Sequence, residues 1–327
     1  MRAVLATEPG GPEVLEVVDL PDPQPGPGEI LVRVAAAGVN RADVMQRRGL
    51  YPPPPDASPV LGLEMAGTVE AVGPGVDRWG PGDRVCAVLT GGGYAELAVV
   101  PAVTALPWPS GCDAVGAAAV PEVFTTVYDN VVRRARLRAG ETVLLHGGSS
   151  GIGTAGIQLA KRLGCTVLVT AGSEEKLAAC RALGADTAIN YRDEDFVEAA
   201  RAATDGRGVD VVLDVVGGPY LDANLRALAV EGRLAIIGLM GGRSAEADLG
   251  RMLTRRLTVT ASTLRARSVE DKAALARAVE AEVWPGFAEG ALRPVIDRTF
   301  PLAEAGAAHA RMESSAHIGK LVLTVAA

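Results

Sequence analysis

Thr142-Val143-Leu144-Leu145-His146, followed at once by Gly147-Gly148-Ser149-Ser150-Gly151-Ile152-Gly153, reads as a short buried strand running into a glycine-rich turn. A helical pattern comes next, with Ile152, Ala155, Gly156, Leu159, Ala160 and Leu163 on one face and Gly164 as its stop. Thr166-Val167-Leu168-Val169-Thr170 is a second buried strand. Strand, turn, helix and strand in this register form a βαβ unit of the length that dinucleotide-binding folds use. Glycine suits the turn because backbone there must approach a pyrophosphate closely. The N–H groups and dipole of the helix start then favour the anion. Gly148, Gly151 and Gly153 are spaced GxxGxG and not GxGxxG, so the reading rests on the whole unit and not on the turn alone.

Outward from this unit the chain keeps alternating. Helices are expected near 174–183, 194–204 and 220–228, and strands at 187–190, 209–215, 233–238 and 257–261. With the first two, these make six apolar strands, the pattern of a parallel sheet covered on both faces. Residues 1–120 read differently. Short apolar or alternating runs at 30–34, 67–72, 84–88 and 94–99 are punctuated by glycine and proline, which predicts a compact antiparallel β domain. The prolines at 52–55 require an extended loop. After 263 come a helix at 269–283, a strand at 295–300, a helix at 302–313 and a last strand at 320–325. This tail is too short for a domain and is expected to return to the N-terminal part. The domains expected are therefore 1–120, 121–262 and a continuation of the first at 263–327.

The 327 residues are 48% hydrophobic and 22% charged with a net charge of −7, an ordinary water-soluble composition. No basic block offers a nucleic-acid or anionic-membrane surface, and no apolar run approaches spanning length. The N-terminus turns acidic too soon for a signal peptide. Cys86, Cys112, Cys165 and Cys180 have no CxxC spacing and read as buried thiols of a reduced cytoplasm. Arginine outnumbers lysine 28 to 4, a codon bias and not a functional signal.

NAD-binding units place a carboxylate about 20 residues past the glycine turn to accept from the ribose. Here the second strand ends in Thr170-Ala171-Gly172-Ser173 without one. Gly172 leaves room, Ser173 offers a hydroxyl and Lys176 a cation, a set that suits a ribose 2′-phosphate and hence NADPH. Ser173 also suits a helix N-cap. Glu174 and Glu175 stand against the assignment, since either could reach a ribose hydroxyl.

Several stretches together resemble the zinc-independent quinone oxidoreductases of the medium-chain dehydrogenase/reductase superfamily. They are Ala37-Gly38-Val39-Asn40-Arg41-Ala42-Asp43, Gly49-Leu50-Tyr51-Pro52, Leu61-Gly62-Leu63-Glu64-Met65-Ala66-Gly67, Gly80-Pro81-Gly82-Asp83-Arg84-Val85, Gly91-Gly92-Gly93-Tyr94-Ala95-Glu96, Val120-Pro121-Glu122, Ile189-Asn190-Tyr191, Gly238-Leu239-Met240-Gly241-Gly242 and Ala316-His317-Ile318-Gly319-Lys320. The Asn-Arg-Ala-Asp and Leu-Met-Gly-Gly stretches are most similar to the tumour-suppressor-inducible branch. The resemblance implies an α/β protein in which a doubly wound Rossmann sheet is inserted into a GroES-like β-rich catalytic domain. It also implies a homodimer joined along the last Rossmann strand. By position it puts Ser150, Gly151, Ile152 and Gly153 at the pyrophosphate. Tyr191 and Lys320 join Gly172, Ser173 and Lys176 at the 2′-phosphate. Thr126, Val216, Gly238, Met240 and Leu264 fall on the nicotinamide side, with Asn40 near it.

Zinc-dependent members of that superfamily hold their metal with a cysteine after Gly38 and a histidine in a Gly-His-Glu triplet. This chain has Asn40 and Gly62-Leu63-Glu64 there. Leucine cannot ligate and an amide is a poor zinc ligand, so no metal site is expected. Without a Lewis acid the suited reaction is one whose product charge is delocalised. Reduction of a quinone gives a phenolate-like anion, comparable to tyrosine with a pKa of about 10. Tyr51 and Asn40 are the candidate donors to it. The expected partner is therefore a small quinone or conjugated carbonyl, with no nucleic acid and no membrane. Two alternatives stand beside this reading: an enoyl or alkenal reductase, and an NADPH-binding scaffold with residual activity.

Overall fold

β1 (Arg2–Ala6) and β2 (Leu15–Asp19) pair antiparallel at the start of the chain. β3 (Glu29–Val39), β4 (Glu64–Val72), β5 (Arg84–Val88), β6 (Leu97–Pro101) and β7 (Leu106–Pro107) follow. The middle of the chain carries β8 (Thr142–His146), β9 (Thr166–Ala171), β10 (Thr187–Asn190), β11 (Val209–Asp214), β12 (Leu228–Ile236) and β13 (Thr258–Ala261). β14 (Ile296–Pro301) and β15 (Lys320–Thr324) close it. This computed structural model describes residues 1–55 and 57–325. Its two units are Met1–Thr125 with Leu264–Ala327, and Thr126–Thr263. The division after Thr125 falls inside the helix Pro121–Val127. The second unit is expected from sequence at 121–262; compactness runs it from Thr126 to Thr263.

In the first unit β3 is the spine. β6 pairs with its first half at Glu29–Arg33 and β15 with its second half at Ala36–Val39, while β4 runs along the other edge. The sheet order is β14-β15-β3-β4-β5-β7, with β6 on β3. The expected strand at 30–34 stopped at the alanines. The structure carries β3 through them because both edges are claimed by partners, which satisfies the backbone whatever the side chains prefer. Ile30, Val32, Val34, Met65, Val85, Tyr94 and Leu321 are buried together there. The helices Arg41–Arg47, Ala114–Ala118, Pro121–Val127, Leu249–Arg255 and Pro285–Ala288 were not anticipated. Arg41–Arg47 starts at Asn40, whose backbone N–H donates to Asp43 Oδ2 at 2.8 Å. The signal was present in the sequence as Asn-x-x-Asp, a capping pattern.

The second unit is a six-stranded sheet in the order β10-β9-β8-β11-β12-β13, parallel throughout. β8 lies centrally. The chain winds outward from it through β9 and β10, then crosses to β11 on the other side. Leu144, Leu168, Ile189, Val212 and Leu234 are buried, as apolar runs covered on both faces require. β12 begins at Leu228, not 233: it pairs Leu228 with Val209, is interrupted at Glu231 (φ 63°) and resumes at Arg233 beside Val211. Tyr128–Arg134 forms a π-helical stretch, with Ala135 N–H donating to Asn130 O at 2.9 Å. Among the described residues no helix is long and apolar enough to cross a membrane. The whole is the α/β arrangement expected: a parallel Rossmann sheet set within a GroES-like β-rich chain.

Candidate functional site

In an open parallel sheet, ligands bind beyond the carboxyl ends of the strands, where the winding direction reverses. Here that place is the end of β8, beside β11. His146 closes β8 and is buried, with Nε2 2.7 Å from Asn224 Oδ1 and Nδ1 3.1 Å from Thr170 Oγ1. Burial holds its pKa down to about 4, so it braces the turn as a neutral ring. Gly148 N–H donates to Thr170 O at 2.9 Å, tying the turn to β9. Gly147 has φ 70°, and a Cβ on Gly148 would stand 2.6 Å from Val169 Cβ. A Cβ on Gly153 would collide with the backbone of Gly147 and Gly148. These glycines are thus required by the packing of the turn itself, before any ligand is considered. Ser150 Oγ accepts from Gly153 N–H at 3.1 Å and caps the helix Gly151–Arg162. The first-turn N–H groups of such a helix have no intrahelical acceptor, the feature that makes this end an anion site.

At the next strand ends, Tyr191 N–H donates to Ala171 O at 3.2 Å. A Cβ on Gly172 would lie 2.6 Å from the Tyr191 hydroxyl oxygen and 3.2 Å from Arg192 Nε. Gly172, Tyr191 and Arg192 therefore converge on one exposed corner. Ser173 caps the helix Glu174–Ala182, accepting from Lys176 N–H at 3.5 Å. Glu174 turns to Arg181, at 2.6 Å. Arg192 escaped the sequence reading. Its signal was a cation next to Tyr191 at the end of a strand that had itself been placed.

Val216, Gly238 and Met240 also meet beyond strand ends. Asp214 is buried at the end of β11 and accepts from Val216 N–H at 2.7 Å and Gly217 N–H at 3.1 Å. Burial raises its pKa. Met240 N–H donates to Val215 O and Gly241 N–H to Val216 O, at 3.2 and 2.8 Å, so the two loops are stitched together. Met240 is exposed. Thr126 is buried at the start of the same unit, its carbonyl accepting from Asn130 Nδ2 at 2.9 Å, while Ser262 Oγ donates to Asn130 Oδ1 at 2.7 Å. Leu264 belongs to the other unit, where it lines a small apolar cavity with Val88, Leu106 and Leu275.

The first unit gathers Asn40, Glu64 and Lys320 at neighbouring ends of β3, β4 and β15. All three are buried. Lys320 Nζ donates to Val39 O at 3.0 Å and Asn40 Oδ1 at 2.6 Å, and lies 2.6 Å from Glu64 Oε1. Asn40 Nδ2 donates to Glu64 Oε1 at 2.9 Å, and Glu122 N–H to Glu64 Oε2 at 2.9 Å. Lys320 at the 2′-phosphate is therefore a correction. Its ammonium is enclosed by three acceptors of its own unit, and pulling it out would strand the buried Glu64 carboxylate. The cluster does not suit a zinc ion either. Its donors are an amide, a carboxylate and an ammonium, and a metal cation there would meet like charge. Among the described residues no group of three or more His, Cys, Asp or Glu side chains is placed to hold a metal.

Tyr51 is half-buried in the loop after the helix Arg41–Arg47. Burial raises its hydroxyl pKa, which keeps the group a donor at neutral pH. Arg265, buried and unforeseen, holds this loop: it donates to Thr90 O at 2.8 Å, Gln46 Oε1 at 2.7 Å and Tyr51 O at 3.4 Å. Beneath Asn40, Asp43 accepts from the Tyr94 hydroxyl at 3.2 Å, and that hydroxyl lies 3.2 Å from His309 Nε2. Burial pushes the Asp43 carboxyl up to about 7 and holds His309 down to about 3.

Known proteins agree with this architecture. Residues 26–110 match the alcohol dehydrogenase GroES-like domain family, and residues 151–280 the zinc-binding dehydrogenase family. A quinone oxidoreductase of Rattus norvegicus is 33% identical over 326 residues, 99% of this chain and 97% of that protein. The solved structure of an Escherichia coli quinone oxidoreductase complexed with NADPH is 32% identical, with a TM-score of 0.88 over 99% of both chains. The JamJ enoyl reductase is 28% identical, with a TM-score of 0.89 over 99% of both chains. Aligned end to end with such relatives and carrying both domains, the chain belongs to the quinone oxidoreductase family of the medium-chain dehydrogenase/reductase superfamily and is an oxidoreductase.

Proposed function

We propose that this protein binds NADPH and reduces quinones and related conjugated carbonyls without a metal, as a cytoplasmic homodimer. The observation that carries the reading is the Asn40–Lys320–Glu64 cluster. It supplies a fixed amide and a buried ammonium but no Lewis acid, which suits an acceptor whose product charge is spread by conjugation. NADPH supplies a hydride when bound, and its 2′-phosphate fits the Gly172, Ser173, Lys176, Tyr191 and Arg192 corner. Ser150, Gly151, Ile152 and Gly153 receive the pyrophosphate at the capped helix start. Thr126, Val216, Gly238 and Met240 wall the nicotinamide side on their own unit. The Tyr51 hydroxyl and the second N–H of the Asn40 amide donate to the substrate oxygen as charge gathers there. A neutral donor of this kind is worth about 1–3 kcal/mol in a partly dry site.

A second reading, reduction of a conjugated carbon–carbon double bond, is supported by the similarity to the JamJ enoyl reductase. Steady-state rates on naphthoquinones, conjugated enals and enoyl thioesters separate the two, with NADPH and NADH each as donor and with elemental analysis of the protein. Fast naphthoquinone turnover with NADPH, no stoichiometric zinc and no effect of chelators is the expected result. Preference for enoyl thioesters, or one firmly held zinc per chain, would overturn the reading. Tight NADPH binding with rates near background on every substrate would favour a scaffold.

A further inference from the structure

We propose that Lys320 is a positioning residue that, opposite Glu64, sets which end of the Asn40 amide faces the substrate. The inference rests on the donor role given to Asn40 above. An amide is nearly symmetric in shape, so packing alone does not choose between its two flips; hydrogen-bond partners do. Here the partners are of opposite sign. The ammonium of Lys320 offers only donors and meets Asn40 Oδ1 at 2.6 Å. The carboxylate of Glu64 offers only acceptors and meets Asn40 Nδ2 at 2.9 Å. A flipped amide would set donor against donor and acceptor against acceptor in a dry site, where each mismatch is most costly.

Every other contact of the two charges keeps them in place. Lys320 Nζ is held by Val39 O, and Glu64 Oε2 by Glu122 N–H. Gly38 is glycine for the same reason, since a Cβ there would collide with Glu64 Oε1. With Oδ1 and one N–H engaged, the second N–H of Nδ2 has one defined direction. Lys320 thus contributes to the reaction without touching the substrate, and its charge cancels that of Glu64 so that neither dominates the site.

The test is a double-mutant cycle in the full-length protein. It uses Glu64→Gln as the reference background, so that removing the ammonium strands no buried carboxylate. Lys320→Met, Asn40→Ala and both together are compared with that background by kcat, KM and NADPH dissociation constant, on whichever panel substrate turns over best. If Lys320 acts through Asn40, Lys320→Met lowers kcat roughly 10- to 100-fold with NADPH affinity within about threefold. In the Asn40→Ala protein it then costs no more than about twofold. Independent, multiplicative losses would overturn the proposal, as would a full rate in Asn40→Ala. A loss of NADPH affinity that spares NADH would overturn it too, by making Lys320 a phosphate ligand.

A second readout does not depend on turnover. In protein labelled with 15N-asparagine, the Asn40 side-chain NH2 pair, assigned by its loss in Asn40→Ala, should be sharp in wild type and broadened or shifted by Lys320→Met. An unchanged pair would refute the proposal whatever the rates. A wild type inactive on every substrate would sink the functional reading and leave this spectroscopic test standing.

Discussion

The guanidinium of Arg265 lies over the face of the Tyr51 ring, 5.4 Å from its centre. The same guanidinium donates to the Tyr51 carbonyl and to two further acceptors, so ring, loop and cation form one unit. A cation held over an aromatic face contributes about 0.5–1 kcal/mol at an exposed site and more when desolvated. Tyr51→Phe keeps the stack and removes only the hydroxyl, so it should lower kcat/KM roughly 5- to 150-fold with NADPH affinity unchanged. Arg265→Leu should lower kcat/KM about tenfold in wild type and much less in Tyr51→Phe. Full activity of Tyr51→Phe on every good quinone would mean the hydroxyl is idle.

Arg192 and Lys176 should each favour NADPH over NADH. Arg192 is exposed, so its contact to a phosphate is screened and is worth about 1 kcal/mol, or roughly fivefold in affinity. Arg192→Ala and Lys176→Ala together should weaken NADPH about 30-fold and leave NADH nearly as it was. Fluorescence titration with both cofactors checks this, and equal losses would remove the 2′-phosphate from the Gly172 corner.

The acid limb of the stability curve should belong to histidines. His146 and His309 are neutral in the fold, with pKa values pressed down by burial to about 4 and about 3. An unfolded histidine titrates near 6.5. Between about pH 4 and 6.5 the unfolded chain therefore binds the extra protons, and stability present above 6.5 is lost as pH falls. Asp43 works against this, because its folded carboxyl keeps a proton up to about 7. Asp214, also raised by burial, works in the same sense as Asp43, so the net slope is at most about one proton, or about 1.4 kcal/mol per pH unit. Urea unfolding from pH 7 to 4.5 should show it, and His146→Gln should flatten it. A slope unaltered by His146→Gln would refute the assignment.

Association should use the open edge of the parallel sheet. β13 is the last strand, Val259 on it is 38% exposed, and Leu249 and Leu253 on the adjoining helix Leu249–Arg255 are 66% and 78% exposed. An unpaired edge beside exposed leucines is a liability that pairing with a second copy removes. Light scattering should give roughly twice the chain mass of 33.6 kDa, and Val259→Lys with Leu253→Asp should halve it. Monomer mass for the unaltered protein at micromolar concentration would rule the interface out.

Much of this protein was determined by its sequence alone, because the relevant physics is short-ranged. The run from Thr142 to Thr170 encodes strand, turn, helix and strand through periodicity and glycine spacing. Each feature lies within a few residues of the next. The missing acid at Gly172 is equally local, and so is the Asn-x-x-Asp start of the helix after β3, legible but unread. Arg192 sits one residue from a position already singled out.

What only the tertiary structure decided lies across long separations. Lys320 and Asn40 are 280 residues apart, and Arg265 and Tyr51 are 214. Their meeting depends on the register of β15 against β3 and on the path of a proline-rich loop, which no periodicity in the chain specifies. The family resemblance placed Lys320 at a phosphate. The strand register buried it instead between an amide and a carboxylate, where its charge offsets that of the buried Glu64.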